Sequence, residues 1–92
     1  MPLLTADEIE DGLTRLPGWT REGESITRTY EQPSFRASLA FVVWVGELAE
    51  AHDHHPDIDI RYSKVMLTLS THSAGGLTEK DFGLAGLIDG RR

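Results

Sequence analysis

The sequence predicts an α+β domain of order α-β-β-α-β-β-α, a four-stranded antiparallel sheet with helices packed on one face. Three observations predict it: three stretches carry apolar residues at helical spacing, four shorter ones are β-branched or alternate in polarity, and Pro- or Gly-containing breaks separate them. Each helix then has one apolar stripe to hide and each strand one apolar face, and a helix layer on an antiparallel sheet hides both.

The first helix starts at Thr5-Ala6-Asp7-Glu8, a capping box in which the Thr5 hydroxyl and the Glu8 carboxylate satisfy free amides. Ile9, Leu13 and Leu16 follow at helical spacing, and Pro17-Gly18 ends the helix. Trp19 opens a hairpin across residues 19 to 31, with Glu22-Gly23-Glu24 as the turn and the β-branched run Ser25-Ile26-Thr27-Arg28-Thr29-Tyr30 as its second arm. Gln32-Pro33-Ser34 breaks it. A long central helix runs from Phe35 to Glu50, its apolar stripe expected at residues 35, 39, 42, 45, 48 and 49.

Two alternating segments come next, Ile58, Ile60 and Tyr62 against Asp59 and Arg61, then Val65, Leu67 and Leu69 against Thr68 and Ser70. Gly75-Gly76 interrupts, Thr78 is the expected cap, and Phe82, Leu84, Ala85, Leu87 and Ile88 form the last helix.

At 92 residues the chain is one domain, 1–92, with no internal linker, low-complexity tract or strong repeat. A chain this short buries little more than roughly 60% of its unfolded surface, so further burial in a homo-oligomer is expected. The absence of cysteine excludes disulfides, thiolate metal sites and thiol nucleophiles. The start, Met1-Pro2-Leu3-Leu4-Thr5-Ala6-Asp7-Glu8, has neither a basic segment nor a long apolar run, and no stretch approaches a membrane span, so a soluble cytoplasmic protein is expected. Nine Lys and Arg stand against fifteen Asp and Glu, a net charge of −6 spread along the chain. That balance argues against direct nucleic-acid binding, which needs a basic face to displace counterions; Arg91-Arg92 is too short to supply one.

Four histidines, His52, His54, His55 and His72, are the chemical feature of the chain. With Ser63-Lys64 as a two-residue turn, Tyr62 faces Val65, Ile60 faces Leu67 and Ile58 faces Leu69, which places all six apolar residues on one side and His55 across from His72. An ordinary imidazole titrates near about 6.5, so a cluster can give a proton from one ring and accept one on another at neutral pH. Two other readings fit the same residues: histidines capping a helix C-terminus beside a solvated His72, and a zinc or nickel site made by all four. Asp81, three residues after Thr78, fits the first turn of a helix, Glu50 fits a solvated helix surface, and Trp19, Trp44 and Phe35 fit core or interface.

The run Glu50-Ala51-His52-Asp53-His54-His55-Pro56, with Tyr62, Lys64-Val65, Leu69-Ser70-Thr71-His72, Gly75-Gly76-Leu77-Thr78 and Asp81, resembles the pterin-4a-carbinolamine dehydratase family, also known as the dimerisation cofactor of a homeodomain transcription factor. Gly18-Trp19, Ile26-Thr27-Arg28, Phe35 and Phe41 fit as well, so the resemblance covers nearly the whole chain. It implies the same element order, assembly as homodimers or homotetramers, and no metal or organic cofactor. It also implies a substrate, the 4a-hydroxytetrahydropterin left by aromatic amino-acid hydroxylases, dehydrated to quinonoid dihydropterin in tetrahydrobiopterin-type cofactor recycling.

By that resemblance His54 and His72 are the acid/base pair and His55 an orienting or acid/base partner, while Glu50, Asp53, Pro56 and Asp81 support or bind. The chain departs at Ile58, where many members carry a Trp two residues after the proline. That departure favours an alternative of another class, a non-catalytic protein-binding or assembly factor of the same fold.

Overall fold

Thr5 caps the first helix as its sequence requires: its side chain accepts from the Glu8 amide at 3.2 Å while the Glu8 carboxylate accepts from the Thr5 amide at 2.8 Å. The structure is a computed structural model that describes residues 2–91; Met1 and Arg92, at the ends of the two terminal segments considered above, lie outside the described residues. Its elements are α1 (Ala6–Arg15), β1 (Thr20–Glu22), β2 (Ser25–Glu31), α2 (Phe35–His52), β3 (Asp57–Arg61), β4 (Lys64–Leu69), a short 3-10 turn (His72–Ala74) and α3 (Glu79–Asp89). The expected order is observed, and the four strands form one antiparallel sheet ordered β1-β2-β4-β3.

Alternation decides which face is covered. Val65, Leu67 and Leu69 of β4 are fully buried beside Ile26 of β2, and they share one cluster with Ile9 of α1, Phe41 and Val45 of α2, and Leu84, Ala85 and Ile88 of α3. The helices supply the other half of that core, while Met66 between them stays 40% exposed.

The β3–β4 register differs from the expected one by two residues. Ile60 pairs with Val65, Ile58 with Leu67 and Arg61 with Lys64, so the loop is Tyr62-Ser63 rather than Ser63-Lys64. A two-residue slip returns every side chain to the same face, and polarity alone therefore does not separate the two registers. The turn does: Tyr62 takes a left-handed φ of 55°, which the loop needs and its residue type does not advertise. His55 consequently does not lie across a strand from His72, because β3 begins only at Asp57 and His72 opens the 3-10 turn.

The buried stripe of α2 is also rotated from the expected one. Ser38, Phe41, Val45 and Ala49 are buried, whereas Phe35, Leu39 and Val43 are 47%, 43% and 64% exposed. The helix is apolar on more than one face, and the sheet takes the face that carries Phe41 and Val45. No helix among the described residues is long and apolar enough to cross a membrane.

Candidate active site

Two chain reversals bring the histidines together. At the end of α2, Asp53 adopts a left-handed conformation (φ 49°) and the His54 amide turns back to the Ala49 carbonyl at 3.1 Å, which aims residues 54 and 55 away from the helix axis. After β4, the Thr71 amide donates to Gly76 O at 2.9 Å and pinches residues 72–74 into a tight turn. Gly75 closes that turn with φ 80°, a conformation in which a Cβ is strained. The two reversals face one another across a cleft of about 320 Å³ lined by Asp53, His54, His55, His72 and their neighbours Ser70, Thr71, Ser73 and Lys80.

His54 is the anchored member. Its side chain is only 10% exposed, and its Nε2 lies 2.6 Å from Oδ1 of Asp81, which is fully buried. A carboxylate only accepts, so the ring donates through Nε2 and its Nδ1 is the remaining nitrogen. The second Asp81 oxygen is held just as firmly: Oδ2 accepts the Thr71 hydroxyl at 2.8 Å and the Thr78 amide at 2.9 Å. Thr78 in turn caps α3 by accepting from the Lys80 amide, and its hydroxyl donates to Thr71 Oγ1 at 2.8 Å. Asp81 is thus the first-turn helix acid expected from the sequence and also the group that fixes an imidazole; both lone-pair sets are used.

His55 is held differently. Its Nε2 sits 2.5 Å from Oε2 of Glu50, with both side chains more than half exposed. That pair orients the ring while solvent screens it. His72 is exposed at the opposite wall, and Pro56 lies between the histidines and the first residue of β3 without lining the cleft. Ile58 is likewise outside the cleft walls, in β3 opposite Leu67.

The cleft therefore gathers His54, His55, His72 and Asp53, with Glu50 behind His55 and Asp81 behind His54. His52 lies outside it. Among the described residues no three of His, Asp or Glu converge as ligands for a metal ion, so the four-histidine metal reading has no geometric counterpart. Sequence reasoning missed Thr71 and Lys80. Thr71 could have been found from β4, whose alternation makes residue 71 the next inward position and so puts a hydroxyl in the core.

The arrangement suits proton transfer between fixed carriers. One ring is buried and oriented by a carboxylate, two more are exposed, and the cleft between them is open to a small molecule.

Comparison with known proteins sets the chain, as a whole, beside pterin dehydratases. Residues 2–91 match the family described as pterin 4 alpha carbinolamine dehydratase. A protein of Roseiflexus castenholzii, provisionally named pterin-4-alpha-carbinolamine dehydratase, is 61% identical over 87 residues, 95% of this chain and 94% of its own. A protein of Chloroflexus aurantiacus with the same provisional name is 55% identical over 89 residues, covering 97% and 96%. Among solved structures, the transcriptional coactivator/pterin dehydratase from Brucella melitensis superimposes with a TM-score of 0.90 at 35% identity, over 95% of each chain. A pterin dehydratase-like protein described as a RuBisCO assembly factor of the alpha-carboxysome shares the fold, with a TM-score of 0.66 at 23% identity over 78% of this chain and 86% of its own.

Proposed function

The chain belongs to the pterin 4 alpha carbinolamine dehydratase family, and from that premise we propose that it removes water from a 4a-hydroxytetrahydropterin by histidine acid/base catalysis. The observation that carries the mechanism is the bond between His54 Nε2 and the buried Asp81 carboxylate, in a cleft that also holds His55 and His72.

The chemistry asks for two proton movements and nothing more. The hydroxyl at C4a leaves as water when it receives a proton; the C4a–O bond breaks, a C4a=N5 double bond forms, and N5 gives up its proton. Atoms and charge balance with one proton donated and one accepted, so neither nucleophile nor redox partner is needed. His54, donating to Asp81 through Nε2, offers Nδ1 as the base for N5–H. His72, across the cleft, is the acid for the leaving hydroxyl, and His55, braced by Glu50, orients the substrate. Asp53 sets the reversal that delivers both neighbouring rings, and Pro56 separates them from β3. In this reading the substrate comes from an aromatic amino-acid hydroxylase and the product returns to a reductase, as in tetrahydrobiopterin-type recycling.

The test is to generate the carbinolamine with a hydroxylase and follow its loss by absorbance with and without this protein. Positioned proton transfer contributes roughly 10²–10⁴ in rate, so clear acceleration over the spontaneous reaction is expected. Its absence, or full activity in a His54→Ala, His72→Ala double variant, sinks the proposal.

The homo-oligomer expected from chain length is part of the same reading. Phe35, Leu39 and Val43 recur one turn apart on α2 and form an exposed apolar row that a second copy would cover.

A further inference from the structure

Thr71 belongs to both walls of the histidine cleft. Its backbone is part of the turn that carries His72: the amide donates to Gly76 O at 2.9 Å, and the carbonyl accepts the Ala74 and Gly75 amides, both at 3.0 Å. Its side chain is turned into the core, where the hydroxyl donates to Oδ2 of Asp81 at 2.8 Å, and the other oxygen of that carboxylate holds Nε2 of His54. Thr71 is 4% exposed and Asp81 and Thr78 are fully buried, so water does not compete for these bonds.

Donor and acceptor roles along the chain follow from its end. A carboxylate only accepts, so the one Thr71 proton goes to Asp81, and the Thr71 oxygen is left to accept from Thr78, which itself accepts the Lys80 amide. Branching at Cβ leaves Thr71 few rotamers in which to make its bond. The Thr78 amide also reaches Oδ2, but it lies at the start of the same helix as Asp81. Among the described residues, the Thr71 hydroxyl is what ties that oxygen to the turn of His72.

We propose that Thr71 is a positioning residue that fixes His54 and His72 relative to one another. Its main chain places the ring assigned as acid, and its hydroxyl, through Asp81, places the ring assigned as base. The roles of the two rings rest on the dehydratase reading; their placement rests on the hydrogen bonds alone. Dehydration puts one proton on the substrate and takes one off, so the spacing of the two carriers matters as much as the presence of either.

The experiment pairs the carbinolamine assay with magnetic resonance of protein carrying isotopically labelled histidine. In the unmodified protein the neutral His54 ring should carry its proton on Nε2 and exchange it slowly with water; a proton on Nδ1 instead overturns the proposal. Thr71→Val keeps the shape and both main-chain groups without the hydroxyl. It should lower kcat about 10–100-fold, leave KM within a few-fold and speed exchange of the Nε2 proton. Thr71→Ser, which restores the hydroxyl, should recover most of kcat and the slow exchange. Because Thr71 acts through Asp81, adding Thr71→Val to Asp81→Asn should cost much less than Thr71→Val does alone.

A Thr71→Val protein that melts lower yet keeps kcat and slow exchange has lost only a stabilising hydroxyl, and overturns the proposal; so do additive losses in the double variant. If Thr71→Val does not fold, Thr71→Ser decides, and fast exchange or a kcat as low as that of Asp81→Asn overturns it. Failure of the unmodified protein to accelerate the reaction ends the dehydratase reading, while the exchange measurements still decide whether Thr71 places His54.

Discussion

Asp81 divides its two oxygens between a helix and a histidine: Oδ2 closes the capping box of α3 with Thr78, and Oδ1 takes Nε2 of His54 at 2.6 Å. Replacing it by asparagine keeps an acceptor for the cap and substitutes a neutral amide for the charged partner of the imidazole. Asp81→Asn should lose about 10–100-fold in activity with only a small change in melting temperature. Asp81→Ala should lose the activity and also about 1–3 kcal/mol of stability, because Thr71 and the Thr78 amide lose a buried acceptor. The carbinolamine assay and a thermal melt followed by circular dichroism separate the two.

His54 and His55 should not respond alike. His54 is nearly buried and tied to a fully buried carboxylate, whereas the His55–Glu50 pair is mostly in water. Glu50→Gln is expected to change stability by less than about 1 kcal/mol and activity by only a few-fold, while His54→Ala should cost at least roughly 100-fold in kcat. Equal losses would show that Asp81 does not distinguish the two rings.

Much of this was legible in the sequence, and the failures share a cause. Capping boxes at Thr5 and Thr78 and the polarity of β4 are local signals, and each element they define is observed. The β3–β4 register was not local. Both registers place Ile58, Ile60, Val65, Leu67 and Leu69 on one face, and the deciding fact is that Tyr62 tolerates a positive φ. The site nevertheless assembles, because the reversals at Asp53 and Gly75, not the ladder, aim His54 and His72. The Thr71–Asp81–His54 chain could not be read at all, since it joins residues 10 and 27 positions apart through a buried carboxylate.

The Tyr62 conformation makes its own prediction. A left-handed backbone costs a side-chain-bearing residue about 1–2 kcal/mol, of which glycine recovers part and returns some as unfolded-state entropy. Tyr62→Gly, at a position 72% exposed, should gain about 0.5–1 kcal/mol in a urea titration without altering activity.

Tyr30 should shape the alkaline limit of stability. Burial first, then its bond to the Asp89 carboxylate and the charge of that group, push the Tyr30 phenol well above its ordinary value of 10.0. A group whose folded pKa is raised holds its proton longer folded than unfolded, so its contribution is complete below about pH 10 and is lost as pH climbs through the phenol range. Stability should therefore fall as pH rises from 10, and fall less steeply in Tyr30→Phe. Equal losses of unfolding free energy between pH 9 and pH 11 in the two proteins, measured by denaturant titration, would refute this.

If copies associate through α2, a charge in its exposed row should separate them. Val43→Glu, replacing a side chain that touches little of the monomer core, should lower the sedimenting mass while leaving the far-ultraviolet spectrum unchanged.

Asp89 accepts Trp19 Nε1 at 3.2 Å as well as Arg28 and Tyr30, and Trp19 is only 3% exposed. The protein therefore carries its own optical gauge of folding. Indole emission from Trp19 should be blue-shifted while that carboxylate is engaged and move to the red when α3 leaves the sheet. Neither Trp19 nor Trp44 lines the histidine cleft, so this signal follows the state of the core without being displaced by what the cleft contains.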